Sequence, residues 1–212
     1  MPEEPLTKRA HAFVDGQNLF YAAKMAFGYT FPNYDVIKLV QRVCMLQAWT
    51  IVGITFYTGV PDAIDNAFWN SFWNAKLAAM GTRGVTTISR PLRYHNKTIP
   101  LPDGTVTTCL VGQEKGIDVK MALDVVRKAR QEEYDVALVF SQDLDLAEAA
   151  SEVKSISMAQ GRWIKMACAY PVSPSYVNRR GINGTDWINL DRELYDSCLD
   201  TADYRPEFQP EE

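Results

Sequence analysis

The apolar run Val136-Ala-Leu-Val-Phe140 is followed at once by Ser141-Gln142-Asp143-Leu144-Asp145-Leu146, and then by Ala-Glu-Ala-Ala. A short continuous apolar run bounded by polar residues reads as a strand buried on both faces. The segment after it has helix-forming composition. Asp143 and Asp145 therefore sit where a central strand ends and a helix begins, and in open α/β sheets ligands bind at the carboxyl ends of the strands. Two carboxylates about 4 Å apart at an effective dielectric near 20 repel by roughly 4 kcal/mol. A chain that gathers acids in one place commonly holds a cation between them. The alternative is that Asp143 caps the helix and Asp145 lies exposed in its first turn, where the helix dipole favours acids. This stretch alone leaves both open.

The 212-residue chain, with 47% hydrophobic and 23% charged residues, has the size and composition of one globular domain. No apolar run reaches the 18 or so residues that span a bilayer, and the N-terminus lacks a basic-then-apolar signal pattern. A cytoplasmic protein is expected. Cys44, Cys109, Cys168 and Cys198 are scattered, with neither zinc-site spacing nor the density of a disulfide scaffold. The only histidines are His11 and His95, which argues against Ser-His-Asp and Cys-His catalysis and against imidazole metal sites. Carboxylate chemistry is what the composition leaves. A net charge of −4 argues against broad nonspecific nucleic-acid binding but allows a local basic rim around an acidic centre.

Strands are expected at 10–14, 49–57, 84–89, 136–140, 163–169 and 186–190. Helices are expected at 19–27, 34–47, 65–80, 117–130 and 144–158, with a short one ending near 199. Residues 1–9 and 201–212 read as flexible tails around one domain spanning 10–200. Asp15 ends the first strand, Gly16 provides a tight exit, and Asn18 is placed as an N-cap for the next helix. Phe68, Trp69, Phe72 and Trp73 form a stripe that reads first as core, with a base-stacking surface or a homodimer contact as the remaining options. Residues 90–112 break the alternation. Pro102-Asp103-Gly104 marks an inserted β-hairpin, and its first arm carries Arg90, Arg93, Tyr94, His95 and Lys97. That arm suits a nucleic-acid backbone or a solvated hairpin covering a sheet edge. On the helix at 117–130 the apolar face is taken as Val119, Ala122, Leu123 and Val126. Asp118 falls in its first turn, and Asp124 is expected to face solvent or pair with Lys128. Strand–helix alternation implies a parallel sheet with helices on both faces. Asp15, Asp118, Asp143 and Asp145 can then share one edge.

Three segments carry a family resemblance. Phe13-Val-Asp-Gly-Gln-Asn-Leu19 resembles the first motif of the NYN branch of the PIN-like nuclease superfamily. Lys115-Gly-Ile-Asp-Val119 with Leu123-Asp124 resembles its middle motif, and Phe140-Ser-Gln-Asp-Leu-Asp-Leu146 its Ser-Gly-Asp-Ser-Asp-Phe motif, in the expected order. Gln142 stands where the family usually has Gly, and Leu146 where it has Phe. The resemblance implies a Rossmann-like PIN fold and magnesium- or manganese-dependent cleavage of RNA, less often of single-stranded DNA. The family's metal-binding acids correspond to Asp15, Asp118, Asp143 and Asp145, with Glu114 as a further candidate ligand. The motif-one Asn corresponds to Asn18. An oxygen-only site of this kind suits Mg²⁺ or Mn²⁺, which keep waters and share ligation with substrate phosphate. Ser141 is placed to orient a carboxylate, and Arg90, Arg93, Lys97, Lys115, Arg179 and Arg180 to grip phosphates.

Two rival functions remain: a small-molecule phosphohydrolase, and a noncatalytic module that keeps the fold and binds RNA or protein. The first needs an acid two residues after Asp15, where Gln17 stands. A dinucleotide-binding reading fails because no Gly-x-Gly-x-x-Gly follows the first strand.

Overall fold

The computed structural model describes residues 2–100, 105–113, 115–175 and 180–206, with backbone alone at 96, 97, 100, 109–111 and 113. The central apolar run forms β6 (Val136–Phe140), with all five residues buried. Its neighbour β1 (Lys8–Asp15) is buried through its last six positions. β2 (Trp49–Val60) and β3 (Thr86–Pro91) continue the sheet on one side, and β7 (Lys165–Pro171) and β8 (Asp186–Leu190) on the other. Short polar residues start the helices. Asp15 caps α1 (Gly16–Phe27), Asp35 caps α2 (Val36–Leu46), and Asn66 caps α3 (Ala67–Thr82), each accepting backbone N–H groups of the first turn. α4 (Ile117–Arg130) begins after Gly116, whose φ of 77° is the left-handed conformation that Gly adopts without strain. A 3₁₀ turn at Leu144–Leu146 leads into α5 (Ala147–Gln160), and α6 (Arg192–Asp196) follows β8.

The sheet has six strands in the order β3-β2-β1-β6-β7-β8, every neighbouring pair parallel. The chain winds outward from β1 to β3, then returns beside β1 as β6 and winds the other way. The winding direction therefore reverses between β1 and β6, the kind of switch point where open α/β sheets form a binding crevice. Val14 pairs with Phe140, so Asp15 and Ser141 leave the sheet side by side. One face of the sheet packs on α1, α2 and α3, the other on α4 and α5. The inserted hairpin is present as β4 (Arg93–Pro100) antiparallel to β5 (Val106–Gln113). Its expected Pro102-Asp103-Gly104 turn lies outside the described residues.

Four expectations change. The inward face of α4 is Ile117, Met121, Asp124, Val125 and Ala129, while Val119 and Leu123 are exposed. Asp124 is buried, accepts a hydrogen bond from the Tyr57 hydroxyl of β2 at 3.0 Å, and pairs with Lys120 and Arg127; Lys128 pairs with Glu133 instead. Those three partners hold the carboxylate inside and set the rotation of the helix. The cap of α1 is Asp15 rather than Asn18. The chain beyond residue 200 also packs on the body as far as described. Tyr204 sets its ring edge-on to Phe72, and the Arg205 guanidinium lies over the Phe31 ring; at the domain's last residue, Asp200 forms an ion pair at 3.2 Å with the buried Lys76.

Candidate active site at the switch point

Asp15 ends β1 with 7% of its surface exposed. One carboxylate oxygen accepts the Asn18 N–H at 2.9 Å, and the other accepts the Ser141 hydroxyl at 3.4 Å. Ser141, fully buried at the end of β6, also accepts the Asp143 N–H at 3.1 Å. The Asn18 side-chain oxygen takes the Gln142 N–H at 2.9 Å. The exits from β1 and β6 are therefore laced together by two hydrogen bonds, Ser141 to Asp15 and Gln142 to Asn18, and each exit is braced by one of its own. Gly16 is needed in this lacing, because a Cβ there would stand 2.4 Å from the Phe56 ring. Asp143 in turn accepts the Asp145 N–H and caps the 3₁₀ turn. The side chain that caps this turn, rather than α5 itself, also lines a cleft.

Asp15, Asn18, Asp118 and Asp143 line one open cleft of about 430 Å³, together with Gln17, Tyr21, Lys115 and Gly116. Burial pushes the Asp15 carboxyl up to about 6; nearby Asp143 adds to the rise, against the hydrogen bond from Asn18. Asp145 is exposed and faces a neighbouring groove between α4 and α5, which it lines with Asp118. Asp118 is shared by the two. Lys115 is in the cleft, and Arg90 reaches its edge, donating to the Lys115 carbonyl at 3.4 Å. Arg93 is exposed on β4, and Arg180 is exposed with its carbonyl accepting from the Gln142 side chain at 2.9 Å. Arg179, Glu114 and the side chain of Lys97 lie outside the described residues. Gln17 and Tyr21 were not singled out from sequence. Their signal is position alone: they flank Asn18 on the first turns of α1, so they border whatever it borders.

Among the described residues, no group of three or more acid, thiol or imidazole side chains stands close enough together to hold a metal ion. The donor set still fits a hard divalent cation. It is all oxygen, it is open to water and phosphate, and its most buried member is a carboxyl raised by burial and by a second carboxylate, both of which a cation would offset.

The family model for the NYN domain matches residues 9–159. The chain belongs to the NYN domain family. Its members are typically nucleases and generally use divalent metals. The match runs from β1 to the end of α5, so it contains every acid of this NYN domain's cleft. No curated protein matches the chain. A solved structure of MurG from Acinetobacter baumannii is similar over 86% of this chain and 45% of its own length, with 9% identity and a TM-score of 0.33. So low a score adds nothing to the NYN assignment. No described helix is long and apolar enough to cross a membrane.

Proposed function

We propose that this NYN domain is a ribonuclease that hydrolyses phosphodiester bonds with Mg²⁺ or Mn²⁺ held by Asp15, Asp118 and Asp143. The observation that carries it is that these acids, from three separate segments, line one open cleft at the switch point of the sheet. When bound, the cation would supply a water ionised near neutral pH and a charge to offset the phosphorane-like transition state. The chain's own residues do the rest. Asn18 N–H and Ser141 fix the orientation of the Asp15 carboxylate. Lys115 presents an ammonium group to a phosphate in the cleft, and Arg90 adds a guanidinium at its edge. Asp145 acts from the adjoining groove, next to Asp118 rather than inside the cleft. A cytoplasmic location and RNA as the partner complete the reading.

The test is cleavage of end-labelled single-stranded RNA with Mn²⁺, with Mg²⁺ and with EDTA, by the wild type, Asp15→Asn and Asp143→Asn. The expected result is cleavage with either metal, none in EDTA, and none by either variant, with a melting temperature that holds or rises. Equal cleavage in EDTA, or by Asp143→Asn, overturns the reading.

A further inference from the structure

A second cleft, of about 540 Å³, opens directly beside the acidic one, and Gln17 and Tyr21 line both. Its walls come from α1, α3 and the inserted hairpin. Trp69 is half-buried on α3, and its indole packs edge-on to Phe68 and Phe72, while Phe72 and Trp73 face the core. Tyr21 is 56% exposed. Tyr94 lies across Gly112, where a Cβ would stand 3.0 Å from its ring, so the hairpin has a flat residue held over the cleft. Lys24 and Asp65 are the charged groups at the rim.

We propose that this cleft is a nucleobase pocket, which receives an unpaired base of the strand whose phosphate lies at the acids. The inference rests on the nuclease reading for the position of the phosphate, and its own argument is independent of catalysis. The volume is in the range of small-ligand sites. Partly exposed aromatic faces on three elements offer what base stacking needs, and stacking tolerates any base because each has a π-face. Lys24 supplies a charge for the adjoining phosphate, and Asp65 an acceptor for an exocyclic amino group. A base can enter only when it is out of a duplex, so the substrate class is single-stranded nucleic acid or a loop, not a paired helix. Of the aromatic stripe, Trp69 and Trp73 line this cleft, and Trp69 is the more exposed of the two.

The test is fluorescence anisotropy of a labelled ten-nucleotide RNA in EDTA at fixed salt. It compares the intact strand, strands with one abasic position each, and the duplex. Trp69→Ala and Tyr94→Ala are expected to weaken binding of the intact strand on the order of tenfold, the scale of one lost stack. Trp69→Phe should restore most of it. One abasic position should weaken wild-type binding by a similar factor and have no added effect on Trp69→Ala. Should Trp69→Ala melt early, Tyr94→Ala decides, since its side chain sits on the hairpin. Duplex binding as tight as single-strand binding overturns the proposal, as does wild-type affinity in both alanine variants or no RNA binding at all. If the stacking signatures are found but metal-dependent cleavage is not, the pocket stands and the nuclease reading falls. Cleavage with none of these signatures has the opposite meaning.

Discussion

Asp15 and His11 are both buried on β1, and burial moves their titrations in opposite directions. The Asp15 carboxyl rises from 3.8 to about 6. The fold therefore favours its protonated form, and that stabilisation is complete below 3.8 and lost as pH rises through 6. The His11 imidazole is lowered from 6.5 to about 4 by burial and then by Lys128, and it shares a hydrogen bond of 2.9 Å with Thr55. Its stabilisation is complete above 6.5 and lost as pH falls through 4. Each window corresponds to on the order of 3 kcal/mol. In the metal-free protein the two slopes oppose between these values, so urea unfolding should change little across that range. Asp15→Asn, which keeps a capping oxygen, should become more stable as pH rises from 4 to 6, and His11→Gln less stable. Parallel profiles for the two variants would contradict the assignment. Asp15 was legible from sequence because a lone acid closes an apolar run. Asn18 was legible as important but not for what it does, because its partner is the Gln142 N–H, 124 positions away in sequence.

At the scale of elements, α4 shows where periodicity stops deciding. Ile117, Met121 and Val125 recur at helical spacing, and so do Val119, Leu123 and Val126. Pattern alone could not choose between these faces. The choice is made by Asp124, whose inward position depends on Tyr57 from β2, a contact invisible to local sequence. Met121→Ala should therefore cost about 2–5 kcal/mol as a core truncation, and Leu123→Ala no more than about 0.5 kcal/mol as a surface change. Chemical denaturation of the two variants checks this, and equal losses would mean the helix is rotated. The strands and the hairpin were legible because their compositions are unambiguous: a fully apolar β6, a β-branched and aromatic β2, and basic and Thr-rich arms around Pro-Asp-Gly.

Over the whole molecule, the alternation of strands and helices predicted a parallel sheet, but not the strand order. Asp15, Asp118 and Asp143 line one cleft because the winding reverses between β1 and β6. The polar and acidic composition of 201–212 predicts a loose tail, yet Tyr204 packs its ring on Phe72. In the fold, Asp200 is drawn in by an ion pair with Lys76, whose ammonium also donates to the Tyr34 carbonyl at 2.9 Å. Asp200→Ala leaves that charge buried without its carboxylate and should cost about 3–5 kcal/mol, whereas replacing both partners together, Lys76→Met with Asp200→Leu, should be neutral or stabilising. Melting temperatures that fall equally in both would show that the pair stabilises by attraction rather than by avoiding an unpaired charge.

The central claim is that acids from β1, α4 and the exit of β6 form one cation site, and the most direct measurement of it is Mn²⁺ binding by titration calorimetry, without RNA. The wild type should bind, and Asp15→Asn, Asp118→Asn and Asp143→Asn should each lose binding while remaining folded. Asp145→Asn, altered in the neighbouring groove, should weaken it by no more than about 10- to 100-fold, as outer-shell changes do. No Mn²⁺ uptake by the folded wild type, or a loss in Asp145→Asn as complete as in Asp143→Asn, would contradict the account.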